Sequence, residues 1–95
     1  MKAITLRTEP KEWATKPLIK QVIEVSPNRA LTIDEIRKRT RVLDKLDELA
    51  PDATALILED ADHATVVGAL RDFPFNVANK HLLRVIDDIF EAETP

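Results

Sequence analysis

One glycine in 95 residues, Gly68, leaves this chain few places to turn a tight hairpin. Two-residue β-turns need positive φ, which glycine adopts without steric cost. A meander or sandwich of short strands would need several such turns, so an all-β fold is disfavoured and helices are expected. Six prolines act as breaks between the elements.

The clearest helix start is Leu31-Thr32-Ile33-Asp34-Glu35-Ile36. Thr32 and Glu35 have the spacing of a capping box, and Leu31 and Ile36 that of a hydrophobic staple. Asp34 and Glu35 suit the positive end of the helix dipole. Ile33, Ile36, Leu43, Leu46 and Ala50 predict one apolar stripe, widened by Val42 and Leu49, and Pro51 stops the helix.

Residues 17–25 leave two readings open. Pro17 fits a first helical turn, with Leu18, Val22 and Val25, or Ile19, Val22 and Ile23, facing inward. The β-branched density of Val22, Ile23 and Val25 fits a strand. The helix is preferred. Lys2–Arg7 and Ala53–Leu58 predict two short strands that pair, and Pro10–Lys16 a loop carrying Trp13. Asp60 is expected to cap a helix from Ala61 to about Phe73, with Val66, Val67, Leu70 and Phe73 inside. Asn76 or Asn79 is expected to cap a last helix to Glu91, with Leu82, Leu83, Ile86, Ile89 and Phe90 inside. The fold class is therefore α+β and mainly helical, with three to four helices and a small two-stranded sheet. Residues 1–95 form one domain, with a strand-and-loop arm over 1–16 and a helical core over 17–92.

An apolar fraction of 44% and a charged fraction of 33% belong to a globular domain. With no cysteine there is no disulfide framework and no thiolate ligand or nucleophile. The opening Met1-Lys2-Ala3-Ile4-Thr5-Leu6-Arg7 breaks its apolar run at once, which predicts no signal peptide. No apolar run approaches the ~20 residues of a membrane span, so a cytoplasmic location and no membrane partner are expected.

Charge is split along the chain. Residues 1–41 hold ten Lys/Arg against five Asp/Glu, and residues 42–95 hold four against twelve. Within Leu31–Leu49 five acids balance five bases. Asp34–Lys38, Glu35–Arg39 and Arg41–Asp44 have helical ion-pair spacing, which would quench most of the basic run. Arg37, Lys38 and Arg41 should face solvent on the second helix, and Asp87, Asp88 and Glu91 on the last. These two patches, with Trp13 and Phe75 as apolar contacts, are the candidate interaction surface.

No catalytic, cofactor-binding or metal-ligating set is assigned. Ser26, the sole serine, precedes Pro27 and reads as a turn residue. Gly68 alone cannot make a phosphate loop; it allows close helix packing or simply costs stability. Glu59 and His63 share an i, i+4 spacing, yet a metal site needs more ligands than these. Asp87 and Asp88 are adjacent on a helix and cannot share a substrate.

The chain carries two resemblances, one in the order of its elements and one in its sequence segments. Over about residues 17–73 the helix, the "LTIDEI" helix, a short strand and a further helix resemble a winged helix-turn-helix domain. That likeness implies Ala61–Phe73 as the recognition helix, although it carries only Arg71 against Asp62 and Asp72. Over residues 31–90, "LTIDEIRKRTRVLDKLDEL", "LILEDADHATVVGALRDFPF" and "HLLRVIDDIF" resemble small acidic accessory proteins of tailed bacteriophages and prophages. That likeness implies a non-enzymatic protein acting in morphogenesis or by binding another protein. The expected function is thus a protein–protein interaction module without cofactor or small-molecule substrate. Its partner is another protein or a second copy; the alternative is a nucleic-acid-binding regulator.

Overall fold

Leu18, Ile19, Val22 and Ile23 decide the element that the sequence leaves open. A helix puts all four on one side, whereas a strand would split 22 from 23 and 18 from 19. The computed structural model describes residues 1–95, and in it residues Thr15–Glu24 form helix α1 with those four side chains buried. Val25 lies beyond the helix and is exposed. Pro17 occupies the first turn, where its missing N–H is no loss. Thr15 is fully buried: its hydroxyl accepts from Arg7 N at 2.9 Å and donates to Thr5 O at 3.4 Å. That pair anchors the start of α1 to the N-terminal segment, whose loop contains a short 3-10 turn, Lys11–Trp13.

Strand β1 (Lys2–Thr5) pairs antiparallel with β2 (Ala55–Leu58), with Ile4 opposite Leu56. Ile4, Leu56 and Leu58 point into the core, while Ile57 stands on the outer face. On its other edge β1 bridges the C-terminal segment, where Ala3 N–H donates to Glu93 O at 2.9 Å. The sheet is two-stranded, and the helices pack around it to give the expected α+β, mainly helical class.

Helix α2 (Ile33–Asp47) starts at the capping box. Thr32 Oγ1 accepts from Glu35 N at 3.2 Å, and Glu35 Oε1 accepts from Thr32 N at 3.4 Å. Its buried face, however, is not the expected stripe. Arg39, Val42 and Leu46 are buried, with Leu43 and Leu49 half-buried; Ile33 is 70% and Ile36 49% exposed, and Ala50 lies outside the helix and exposed. The Leu31–Ile36 staple position is therefore open to water. The reason is Arg39, which packs inward and turns the 39-42-46 face to the core. Its Nη1 donates to Val22 O at 3.1 Å and Ile23 O at 3.2 Å, two carbonyls at the C-terminal end of α1.

Helix α3 (Asp60–Asp72) buries Asp62, Val66, Ala69 and Leu70, while Val67 and Phe73 are half-buried. Asp60 is its first residue rather than its cap, a position held by Glu59 without a side-chain bond. The Asp60 carboxylate instead meets the Met1 ammonium at 3.0 Å. Helix α4 (Lys80–Phe90) is capped by Asn79, whose Oδ1 accepts from His81 N at 2.8 Å and Leu82 N at 3.4 Å. Leu82, Val85 and Ile89 are buried; Leu83 is 58% and Phe90 39% exposed, against expectation. Six apolar residues wrap α4 so widely that spacing alone does not select the inner face. Element order is strand–helix–helix twice over, and α3 is followed by α4 rather than by a hairpin.

Two substitutions rank the forces at α2. Thr32→Ala should cost about 1 kcal/mol through the lost cap. Arg39→Ala should cost more, about 2–3 kcal/mol, because it strips a charged donor from two carbonyls and leaves them unsatisfied. Chemical denaturation of both variants checks the order; a loss at Arg39 no larger than at Thr32 would overturn it.

Candidate functional site

The basic run of α2 divides into two environments. Arg37, Lys38 and Arg41 are exposed and, with Asp34, line an open depression of about 280 Å³. Arg39 is only 7% exposed. None of the three expected ion pairs within α2 forms. Glu35 instead meets Arg29 Nη2 at 2.6 Å, and Arg41 Nε meets Asp62 at 3.2 Å. Arg37, Lys38 and Arg39 have no carboxylate within ion-pair reach. The basic surface is less quenched than its sequence spacing implies.

The acidic patch of α4 is smaller than expected. Asp87 and Glu91 are exposed and unpaired, one helical turn apart. Asp88 is not part of that surface. Arg7 grips it through Nε and Nη2, the second contact at 3.2 Å, and its side chain is only 18% exposed. This fork ties the N-terminal segment to α4 and raises the Arg7 pKa above its ordinary value, chiefly through the hydrogen bond to Asp88. Trp13 and Phe75 are both half-buried against the core. Phe75 stacks at a tilt on Phe73, centroids 4.9 Å apart. His63 Nε2 lies 2.7 Å from Ile89 O, and a carbonyl can only accept, so this nitrogen carries the proton.

Two concave surfaces arise that the sequence did not mark as such. The first lies between α2 and α3 and has a volume of about 420 Å³. Arg29, Lys38, Arg39 and Arg41 line it together with two acids, Glu35 and Asp72, and α3 contributes the small residues Ala61, Ala64, Thr65, Gly68 and Ala69. Its sequence signal is the run of small residues at helical spacing on α3. A Cβ built on Gly68 would meet nothing within 4 Å, so no neighbouring element within the chain requires glycine there.

The second groove, of about 520 Å³, runs from the segment before α4 along that helix. Phe75, Val77, Ala78, Leu82, Leu83 and Ile86 line it, with Asn79 and Lys80 as its only polar members. No carboxylate lines this groove. Its signal was the apolar Phe73-Pro74-Phe75 and Val77-Ala78 leading into α4, together with one apolar residue too many on that helix.

No protein-family profile, no curated protein and no solved structure matches this chain. No helix is long and apolar enough to cross a membrane.

The Arg29–Glu35 contact has a pH signature. The guanidinium hydrogen bond pulls the Glu35 carboxyl down to about 2 from an ordinary 4.5, aided by the Thr32 N–H. A carboxylate with a depressed folded-state pKa stabilises fully above its unfolded value and ceases to do so as pH falls through the folded value. The stability difference between the parent and Glu35→Gln should therefore be constant above about pH 5 and shrink from there toward pH 2. Gln preserves the cap spacing, so the variant isolates the charge. Denaturation series across that range check it; a pH-independent difference would mean that the ion pair contributes nothing.

Proposed function

We propose that this chain is a non-enzymatic protein–protein interaction module that docks an apolar, acid-bearing segment of another protein in the Phe75–Ile86 groove. The observation that carries the reading is that groove itself. Its lining is apolar except for Asn79 and Lys80, and Leu83 stands largely in water at its side. An exposed leucine beside an apolar concavity gains about 25 cal/mol for each Å² it buries on docking. Lys80 supplies the only charge and no lining carboxylate offsets it, so an acidic residue flanking the docked apolar side chains complements the site. An amphipathic helix presenting such residues is the common solution for a groove of this kind. The resemblance to phage accessory proteins supports a structural protein of the particle as the source of that segment.

The exposed charges have a second role in this reading. Asp87 lies on the groove's helix and Glu91 at its C-terminal cap, and their like charge turns away segments that are acidic throughout. Specificity then rests on where the acid sits relative to the apolar anchors.

The test is an amide NMR titration with a helical peptide bearing leucines on one face and glutamates beside them. Resonances of Phe75, Val77, Lys80 and Leu83 should move together and saturate. Leu83→Glu should weaken binding at least tenfold while leaving the fold intact, because the side chain is already mostly in water. Shifts centred on α2, or a Leu83→Glu variant that binds as the parent does, would sink the proposal. Sedimentation without peptide covers the other occupant: a dimer that Leu83→Glu dissolves would make the partner a second copy.

A further inference from the structure

The cleft between α2 and α3 belongs to a different surface and has a different chemistry. Its most unusual member is Arg39. The side chain is more than nine-tenths buried, carries a charge and has no carboxylate partner. Its two hydrogen bonds both leave from Nη1, to the carbonyls of Val22 and Ile23. A guanidinium has five N–H donors. The donors on Nε and Nη2 find no acceptor within the chain, although the residue lines the cleft. Lys38 beside it is likewise free of any carboxylate, and Arg41 reaches the cleft with a side chain 60% exposed while touching Asp62. The two acids of the lining are already paired within the cleft, where Arg29 holds Glu35 at 2.6 Å and Asp72 at 3.4 Å.

We propose that this cleft is an oxyanion site that takes a phosphate group, held by the free donors of Arg39 with Lys38 and Arg41. A fork of parallel N–H donors matches two oxygens of a tetrahedral phosphate, and a neighbouring ammonium adds charge without demanding geometry. The alanines, Thr65 and Gly68 let the ligand approach the α3 backbone closely. No aromatic side chain lines the cleft, so it offers no stacking platform for a base. The site reads the phosphate and not what is attached to it. The phosphate can belong to a small phosphorylated molecule or to a nucleic-acid backbone, and the chemistry of capture is the same.

Inorganic pyrophosphate is the probe, titrated into the full chain at constant ionic strength and followed by amide and arginine side-chain NMR. Saturable shifts at Lys38, Gly68 and the Arg39 Nε–H are expected. Gly68→Leu fills the cleft without meeting a neighbour at Cβ, and should abolish saturation while the chain stays folded. Lys38→Gln should weaken the apparent affinity several-fold. A generic duplex that displaces pyrophosphate from the same residues, with binding that falls steeply as salt rises, assigns the phosphate to a nucleic acid; pyrophosphate binding without duplex competition assigns it to a small molecule. Three outcomes overturn the site: linear shifts spread over exposed cations such as Lys16 and Lys20, unchanged saturation in Gly68→Leu, or an acidic peptide filling the cleft where pyrophosphate does not.

Discussion

Arg39 joins two helices through the polar ends that helices leave unfinished. The last carbonyls of α1 have no partner within their own helix. In the interior each would carry a desolvation cost of about 1–3 kcal/mol. A guanidinium from α2 meets two of them, and the negative end of the α1 dipole in turn offsets the buried positive charge. Neither group would tolerate burial alone. Because Arg39 must face α1, the residues one and two turns on, Val42 and Leu46, face the same core. The rotation of α2 about its axis, and therefore which of its cations meet water, follows from this one contact.

That rotation redistributes charge over the surface. Had α2 turned its Ile33–Ile36 side inward, Glu35 and Arg39 could have paired along the helix. Instead Glu35 is left to Arg29, from the segment before the helix, which also reaches Asp72 at the end of α3. Arg41 is drawn to Asp62, a buried carboxylate of α3 that needs a cation. The ion pairs thus run between elements rather than along them. They hold α2 and α3 at the spacing that leaves a cleft, and they leave Arg37 and Lys38 without partners.

How much of this was legible in the sequence depends on whether a single helix or a pair of elements decides the outcome. The Thr32–Glu35 box is local and its spacing announces it, and a cap at Asn79 is local but one of two the sequence offers. The pairing of the Ile4 and Leu56 strands spans half the chain and is legible only because the sequence holds two short apolar runs with no other partner. The inner face of α4 is not local. Leu82, Leu83, Val85, Ile86, Ile89 and Phe90 fit two overlapping stripes, and only the packing of α4 on β1 and α3 selects 82-85-89. For Arg39 the spacing predicts a pair with Glu35, whereas its actual partners are carbonyls of α1, which have no sequence signature. Asp88 leaves the expected acidic surface because its partner, Arg7, lies 81 residues away, beyond the reach of any local pattern.

Three departures from local rules fall at the two concave surfaces. A mid-helix glycine costs up to about 1 kcal/mol relative to alanine, and close packing is the usual compensation. At Gly68 there is no such packing, since a Cβ there would meet open space. A leucine in the middle of an amphipathic helix ordinarily joins the core, yet Leu83 does not. A buried arginine ordinarily finds a carboxylate, and Arg39 has none. Sequences that specify a fold agree with it at every level, and natural proteins break that agreement mainly where function demands it. Gly68 and Arg39 share the α2–α3 cleft, and Leu83 lines the other groove. The exposed Ile33 and Ile36 of α2 lie outside both, so it is the glycine without a packing partner and the buried arginine without a carboxylate, meeting in one cleft, that set the α2–α3 surface apart.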